Sequence, residues 1–187
     1  MKILAIFGSP NKEGNTASLS NAILEGAEEI GHSIRRFYLY DQEIKNCLDC
    51  EDAARLHKER LCIHDDVMTK EIIPAIEEAD VLVISSPVYM GHITGVMKTF
   101  FDRWHTFIGD EFKMRIVPGK KFITIITSWA STDTFRNVSE YLDHWLCKFF
   151  QLEKITQIHE GDMKGSGFIK KKKELLKKAY EIGKSIN

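Results

Sequence analysis

The chain has 187 residues, of which 43% are hydrophobic and 28% are charged. This balance is typical of a globular protein and predicts one α/β domain over residues 1–187. The formal net charge of −1 provides no general attraction for nucleic acid or an anionic membrane, and no stretch is apolar for long enough to span a bilayer. Four cysteines without a secretory signal favour reduced thiols in a cytoplasmic protein.

The first predicted element is a buried strand that ends in a polar loop. Residues 3–7 form a continuous apolar run, which is typical of a parallel strand covered on both faces. Gly8 and Gly14 allow close backbone approaches, and a helix over residues 15–31 directs its unpaired N–H groups at the same place. The loop also carries the short polar side chains of Ser9, Asn11, Asn15 and Thr16. It therefore suits a phosphate group, although such residues also form ordinary caps and turns.

The remainder of the chain alternates predicted strands and helices. Further strands are predicted at 33–39, 81–85, 121–127 and 154–159. Further helices are predicted from a cap at Asp65 through Ile76, with Pro74 marking a kink or irregular segment, and at 94–104, 134–150 and 169–186. Five strands alternating with five helices predict a parallel sheet covered on both faces, for which 2-1-3-4-5 is one of the common strand orders. In that order the ligand crevice lies between the loops after the first and third strands.

The loop after the third strand has a composition that suits a planar, partly polar ring. It contains Ser86, Pro87, Val88, Tyr89, Met90 and Gly91. The proline fixes a turn, the glycine lets backbone amides approach a ligand, and the tyrosine and methionine supply apolar surface. A rigid connection whose side chains only cover the edge of the sheet is the alternative.

Two sequence stretches resemble the NAD(P)H-dependent FMN reductase family of flavodoxin-like proteins, in particular its multimeric branch with the iron–sulfur flavoproteins. They are GSPNKEGNT at 8–16 and ADVLVISSPVYMGHITGVMKTFFDR at 79–103. The resemblance implies a three-layer flavodoxin-like fold, with the FMN phosphate at the first loop and the flavin ring along Ser86 to Gly91. It also implies an approach of Thr127 and Ser128 to the flavin, although glycines frequent there in relatives are missing. Beyond about Arg103 the resemblance is loose.

The same resemblance implies a function and an assembly. Bound FMN would take electrons from NADH or NADPH and pass them to a quinone, a nitro compound, a flavin or a protein. The flavin performs this transfer itself, so we expect no catalytic side chain. A non-enzymatic electron carrier or redox sensor would use the same pocket, whereas a flavin-free interaction protein would bind no chromophore. A homodimer or homotetramer is expected, with Phe107, Phe112 and Trp129 as candidate contacts.

The cysteines depart from the iron–sulfur pattern. Relatives with a cluster carry four compactly spaced cysteines, since a cubane cluster takes four thiolates. Here the connecting segment carries only Cys47, Cys50 and Cys62, and Cys147 lies in a predicted amphipathic helix. We therefore predict no metal site. A cluster, a zinc site with His57 or His64, and thiol–disulfide chemistry remain as alternatives to reduced loop thiols.

Three other features have mainly structural interpretations. His92 is either a polar residue at the start of a helix or a group facing the ring or substrate. Asp102 and Arg103 are predicted to form an ion pair at the end of a helix or a subunit contact. The basic run Lys170–Lys173 is predicted to be the solvated face of the last helix.

Overall fold

The computed structural model describes residues 1–50, 62–109 and 113–187. Its strands are Lys2–Phe7 (β1), Ser33–Tyr38 (β2), Val81–Tyr89 (β3), His92–Ile93 (β4), Lys121–Thr127 (β5) and Glu153–Glu160 (β6). Its α-helices are Asn15–Glu29 (α1), Ile73–Glu78 (α2), Gly95–Asp102 (α3), Arg136–Asp143 (α4) and Lys173–Lys184 (α5). Short 3₁₀ helices occupy Leu39–Asp41, Arg103–Phe107, Thr132–Phe135 and Phe168–Lys171, and π-helical turns occupy Met68–Ile72 and His144–Phe149.

The main sheet is parallel, with the strand order β2-β1-β3-β5-β6. The predicted order 2-1-3-4-5 is confirmed, because β5 and β6 are the predicted fourth and fifth strands. The central strands β1, β3 and β5 are buried over nearly their full lengths, as their continuous apolar runs predict. The carboxyl ends of β1, β3 and β5 therefore meet at one edge of the sheet.

Alternating side chains of the strands form one hydrophobic core on each face. Leu4 and Ile6 of β1 pack in the core beneath α2, α3 and α4, whereas Ile3 and Phe7 pack in the core beneath α1 and α5. Helices α1 and α5 approach so closely that a Cβ atom at Gly183 would lie 1.9 Å from the carbonyl oxygen of Ile23. The predicted three-layer α/β sandwich is thus confirmed.

The chain between β2 and β3 differs from the prediction in its helix cap. Asp66, and not Asp65, begins the helical segment: its Oδ1 accepts from the backbone N–H of Thr69 at 3.2 Å, while the Thr69 hydroxyl accepts from the Asp66 N–H. Asp65 instead pairs with Lys70 at 3.1 Å. The irregularity predicted from Pro74 is confirmed, because the π-helical turn Met68–Ile72 lies next to this residue, which has no N–H to donate.

The predicted strand over residues 81–85 and the helix at 94–104 also end differently. Strand β3 continues to Tyr89 and turns back into β4, an antiparallel hairpin that the apolar run did not indicate. Helix α3 ends at Asp102 and continues as a 3₁₀ helix. Phe107 in that 3₁₀ helix is fully buried and packs edge-on to Trp104, so its predicted role as an exposed subunit contact is wrong. The corresponding expectation for Phe112 lies outside the described residues.

Asp102 and Arg103 do not pair with each other. Asp102 pairs with Lys98 on the surface of α3. The Arg103 side chain is only 1% exposed, and its Nη1 lies 2.6 Å from Oδ2 of Asp66. Adjacent residues at the end of a helix point in different directions, so one side chain reaches solvent and the other reaches the core.

Within the described parts of the chain, no helix has both the length and the hydrophobicity that crossing a membrane requires.

Candidate functional site

The candidate site lies at the edge of the sheet where β1, β3 and β5 end. The N–H of Gly8, directly after β1, donates to the carbonyl of Ser85 in β3 at 2.8 Å. A Cβ at Gly8 would lie 2.8 Å from the terminal methyl of Met97 and 3.1 Å from the Ser85 carbonyl oxygen. Glycine is therefore required for the first loop to leave the sheet so close to β3 and α3.

The first loop folds tightly over the start of α1. The Ser9 hydroxyl oxygen accepts from the Asn11 N–H at 3.2 Å, and the Gly14 N–H donates to the Asn11 carbonyl at 3.1 Å. The carboxamide oxygen of Asn11 accepts from the Glu13 N–H at 3.0 Å. These bonds close the loop into a compact turn whose outer edge, including Asn11, is exposed.

Helix α1 begins without a capping side chain. Its N-cap residue is Gly14, which has no side-chain acceptor, and its first turn carries no acidic residue. The first N–H groups of a helix have no acceptor within the helix, and the dipole makes this end partly positive. The start of α1 therefore offers free donors to an anion at the loop, as the sequence predicts.

The second loop is a two-residue β-hairpin turn. Met90 and Gly91 connect β3 to β4 with φ angles of 48° and 79°, which is typical of a type I′ turn. A glycine adopts this conformation readily, whereas a methionine does so rarely. Met90 is fully exposed and Tyr89 is 47% exposed. The hairpin therefore presents apolar side chains and turn amides at the mouth of the crevice.

Thr94 joins the first and second loops, although the sequence did not single it out. Its hydroxyl donates to the Gly8 carbonyl at 2.8 Å and accepts from the Met97 N–H at 3.4 Å. Its N–H donates to the Ser86 hydroxyl at 3.1 Å. A threonine just before a helix usually indicates only an N-cap, so its second partner 86 residues away was not visible in the pattern.

The third loop is fixed by buried polar contacts. The hydroxyl of Thr127, at the end of β5, lies 2.6 Å from the hydroxyl of Thr16 in α1. The Ser128 hydroxyl donates to the Ala130 carbonyl at 2.9 Å, and its N–H donates to Glu160 in β6. Trp129, which lies between Ser128 and Ala130 in the sequence, is 77% exposed. The loop thus holds its polar side chains inward and one indole outward.

The predicted site residues are brought to one edge, but they fall into two groups. One group has buried side chains that bond within the protein: Ser9, Thr16, Ser86, Thr127 and Ser128. The other group is partly or fully accessible: Asn11, Asn15, Pro87, Val88, Tyr89, Met90 and Gly91. The first group holds the loops in place, whereas the second group is accessible at this edge of the sheet.

Asn15 is accessible, yet both ends of its carboxamide are used. Nδ2 donates to the Gly165 carbonyl at 2.8 Å, and Oδ1 accepts from the Ile169 N–H at 2.9 Å. The segment after β6 therefore returns to the first loop. Sequence patterns gave no sign of this contact, because the partners lie about 150 residues apart.

The side chains around the crevice are largely uncharged. Burial, followed by the nearby charge of Lys98, lowers the pKa of His92, whose ring lies edge-on to Tyr141 with centroids 4.6 Å apart. Burial and the proximity of Tyr89 raise the pKa of Tyr40. Both side chains are therefore neutral near pH 7, and the start of α1 supplies the local positive potential.

The cysteine-bearing segment, which comprises the described residues 40–50 and 62–66, lies beside the site. Arg103 contacts this segment at three residues. The guanidinium bonds to both Asp66 oxygens, and Nη1 also donates to the Lys45 carbonyl at 2.9 Å. Its Nη2 lies 3.3 Å from the Cys62 sulfur. Cys147 is in the π-helical turn after α4, where burial raises the pKa of its thiol.

Curated relatives of the chain carry the name iron–sulfur flavoprotein. One from Archaeoglobus fulgidus is 33% identical over 132 residues, which cover 68% of this chain and 59% of the relative. One from Methanosarcina thermophila is 34% identical over 103 residues, which cover 55% of this chain and 52% of the relative. The chain thus spans somewhat over half the length of these two proteins.

The cysteines do not fit the cluster that those names imply. The sequence has four cysteines, and among the described residues no three Cys, His, Asp or Glu side chains converge as metal ligands. Cys62 contacts the guanidinium of Arg103, whereas Cys147 lies near Asp143 and Lys154. Cys62 and Cys147 thus have different surroundings, and the described residues do not bring four thiolates together as a cubane cluster requires.

Solved structures with the same fold include a quinone oxidoreductase and an azoreductase. An NAD(P)H:quinone oxidoreductase from Methanothermobacter marburgensis has a TM-score of 0.75 at 21% identity, covering 98% of this chain and 94% of that one. An FMN-dependent NADH-azoreductase from Bacillus anthracis, solved with FMN, has a TM-score of 0.66 at 17% identity, covering 99% and 97%. The NADPH-dependent FMN reductase family model matches residues 1–151. On this match, and with the fold and loops described above, the chain belongs to the NADPH-dependent FMN reductase family.

Proposed function

We propose that the chain binds FMN at this edge of the sheet and acts as an NAD(P)H-dependent oxidoreductase. The observation that carries this proposal is the uncapped start of α1, which lies at the same edge of the sheet as the exposed hairpin of Tyr89 and Met90. One end of the crevice suits a phosphate and the other suits a flat ring, in a chain of the FMN reductase family.

The phosphate end would be formed by the first loop. The free N–H groups at the start of α1 and the exposed carboxamide of Asn11 are the donors available to it. Ser9 and Thr16 hold this loop in shape through their internal hydrogen bonds. Asn15 holds the segment after β6 against the loop, so its contribution is to the shape of the pocket.

The ring end would be formed by the hairpin and the third loop. Residues 87–91 provide turn amides and apolar surface, while the buried Ser86 hydroxyl fixes the start of the turn by donating to the Pro87 carbonyl at 2.8 Å. Thr127 and Ser128 anchor the third loop beside it. Bound FMN supplies the hydride and electron transfer itself. The protein holds the ring and leaves one side open to the electron donor and acceptor.

The donor would be NADH or NADPH, and the acceptor a quinone, a nitro compound, a flavin or a protein. The reductases with the same fold act on a quinone in one case and an azo compound in another, according to their names. No acid or base of this chain is required for hydride transfer to a flavin.

A homodimer or homotetramer would complete the site. Met90 is fully exposed and Trp129 is 77% exposed, and both border the crevice. Large exposed apolar side chains are frequent at subunit contacts. Light scattering of the FMN-loaded protein would test the assembly, and a monomer would contradict it.

The described cysteines are free thiols, which accords with function in the reducing cytoplasm.

Anaerobic reduction tests the proposed function. The purified protein is loaded with FMN, and the visible flavin bands are recorded after addition of NADH or of NADPH. We expect rapid bleaching with one of them and recovery of the bands on addition of a quinone. Bands that persist with both nucleotides would instead indicate an electron carrier or redox sensor, and failure to retain FMN would exclude all three functions.

A further inference from the structure

The segment after β6 forms an outer wall of the first loop. Residues 161–171 lie beyond the part of the chain that matches the family model. Gly165 and Ile169 contact the two ends of the Asn15 carboxamide at 2.8 and 2.9 Å. Ser166 accepts from Nδ2 of Asn11 at 2.7 Å. Three hydrogen bonds therefore hold this segment against the loop at the start of α1.

Ser166 has a hydrogen-bond donor to spare. A serine hydroxyl can donate one hydrogen bond while its oxygen accepts others. Within the described residues the Ser166 oxygen accepts from Asn11, and the hydroxyl donates to no acceptor. Because Ser166 is exposed and adjoins the edge of the loop, its proton is available to a ligand there.

The segment also brings unpaired lysines to the loop. Lys164 and Lys170 are exposed, and each is next to a residue that bonds to Asn15. Neither forms a salt bridge within the described parts of the chain, whereas Lys172 pairs with Glu160. The run predicted as a solvated helix face begins instead in the 3₁₀ helix Phe168–Lys171, before α5.

The first loop itself has little positive charge to offer. Its one lysine, Lys12, is 2.5 Å from Asp41 and lies over the Tyr38 ring. A phosphate monoester carries a charge of about −1.5 to −2 near pH 7. The end of a helix offers only about half a positive charge. The loop thus offers less positive charge than a phosphate carries, and Lys164 and Lys170 are exposed lysines without a salt bridge in the described segment that contacts it.

We propose that the segment after β6 completes the FMN phosphate subsite. The Ser166 hydroxyl donates a hydrogen bond to a phosphate oxygen. Lys164 and Lys170 partly neutralise the negative charge of the phosphate. This inference rests on the proposed function, since it concerns the phosphate end of the same FMN pocket. It predicts that the segment distinguishes FMN from riboflavin, which has the same ring system without the phosphate.

The test compares the dissociation constants of FMN and riboflavin by quenching of flavin fluorescence. The variants are Ser166→Ala and the double variant Lys164→Gln with Lys170→Gln. The matched control is Lys177→Gln with Lys178→Gln, which removes the same charge from exposed positions of α5. Thermal melting without flavin verifies that each variant is folded.

We expect Ser166→Ala to weaken FMN binding about tenfold, the usual effect of losing a hydrogen bond to a charged group. The Lys164 and Lys170 double variant should weaken it at least about threefold at low salt, with a smaller effect at high salt. Riboflavin binding should stay unchanged in both variants, and the control should leave FMN binding unchanged. These results together would support the inference.

Two results would overturn the inference. If the wild-type chain binds FMN while both variants bind it as the control does, the segment has no role in the subsite. If both variants lose FMN and riboflavin equally, their effect is on the loop fold and not on the phosphate. Failure of the wild-type chain to bind FMN is a separate result that would overturn the proposed function as well.

Discussion

The loops at the edge of the sheet and the adjoining cysteine-bearing segment use polar residues in different ways. At the edge, Thr94 and Thr16 join loops through short neutral hydrogen bonds and leave backbone donors at α1 unused. In the cysteine-bearing segment, a buried charge pair between Arg103 and Asp66 gathers the chain around itself. The first arrangement leaves backbone donors for a ligand, whereas the second directs both terminal nitrogens of Arg103 to partners within the protein.

The curated relatives carry the name iron–sulfur flavoprotein, but the described part of the cysteine-bearing segment is held by a buried ion pair. The described part of the segment contacts this ion pair, with the Cys62 sulfur 3.3 Å from the guanidinium of Arg103. The sequence predicted for Arg103 an ion pair with Asp102 or a subunit contact, and the structure pairs it instead with the buried Asp66.

Arg103→Leu should cause the largest loss of stability. It would leave the Asp66 carboxylate buried without its partner, which typically costs about 3–5 kcal/mol. The free energy of unfolding from urea titration provides the measurement. The matched control is Asp102→Asn, which breaks the exposed pair with Lys98 and should cost less than about 1 kcal/mol. An equal loss of unfolding free energy in both variants would contradict a stabilising role of the buried pair between Arg103 and Asp66.

Acid should weaken the same ion pair. Burial opposes ionisation of Asp66, but hydrogen bonds from Arg103 and from the Lys45 and Thr69 amides lower its pKa to about 2. Because this value lies below the unfolded one, the stabilisation is complete above about pH 4 and is lost as the pH falls through about 2. We expect a loss of about 2 kcal/mol, measured by urea unfolding at pH 5, 3 and 2. The Asp66→Asn variant should not show this loss of unfolding free energy. If the variant loses as much as the wild type, the loss comes from other carboxylates.

Thr94→Val should have an intermediate effect at the edge of the sheet. It removes the hydroxyl that donates to Gly8 and accepts from Met97, at an expected cost of about 1–2 kcal/mol. Thr94→Ser keeps the hydroxyl and should restore most of the stability. Under the proposed function, FMN binding should follow the same order, because Thr94 holds the first loop to the second. Equal FMN affinity in the valine and serine variants would contradict a positioning role.

Met90→Asn should have the smallest effect on stability and the opposite sign. Asparagine tolerates a positive φ better than methionine, so the hairpin should gain about 0.5 kcal/mol. Thermal melting of the flavin-free protein measures this gain. The neighbouring control Tyr89→Asn lies in β3 and relieves no positive φ, so it should bring no gain. A clear loss of stability in Met90→Asn would show that the methionine has contacts in the assembled protein.

Much of the fold could be predicted because it depends on local patterns. The apolar runs at Ile3–Phe7 and Val81–Ser85 predicted buried parallel strands, and alternation of strands and helices predicted the two-sided sheet. The polar loop at residues 8–16 predicted where donors gather. Each of these features is set by the type and spacing of nearby residues.

The remaining features depend on distant partners, which spacing does not reveal. Arg103 pairs with Asp66 across 37 residues, and Asn15 bonds to Gly165 across 150 residues. The β4 strand has only two residues, and its turn places Met90 where glycine or asparagine would be expected. The sequence therefore predicted which loops meet at this edge of the sheet better than it predicted which of their side chains are buried and which are accessible.

The most direct measurement is a fluorescence titration of FMN with the purified protein at micromolar concentration. We predict saturable binding of one FMN per chain. Riboflavin should bind more weakly, because it lacks the phosphate that would bind the free N–H groups at the start of α1. Absence of saturable FMN binding would contradict the assignment of this edge of the sheet as a flavin site.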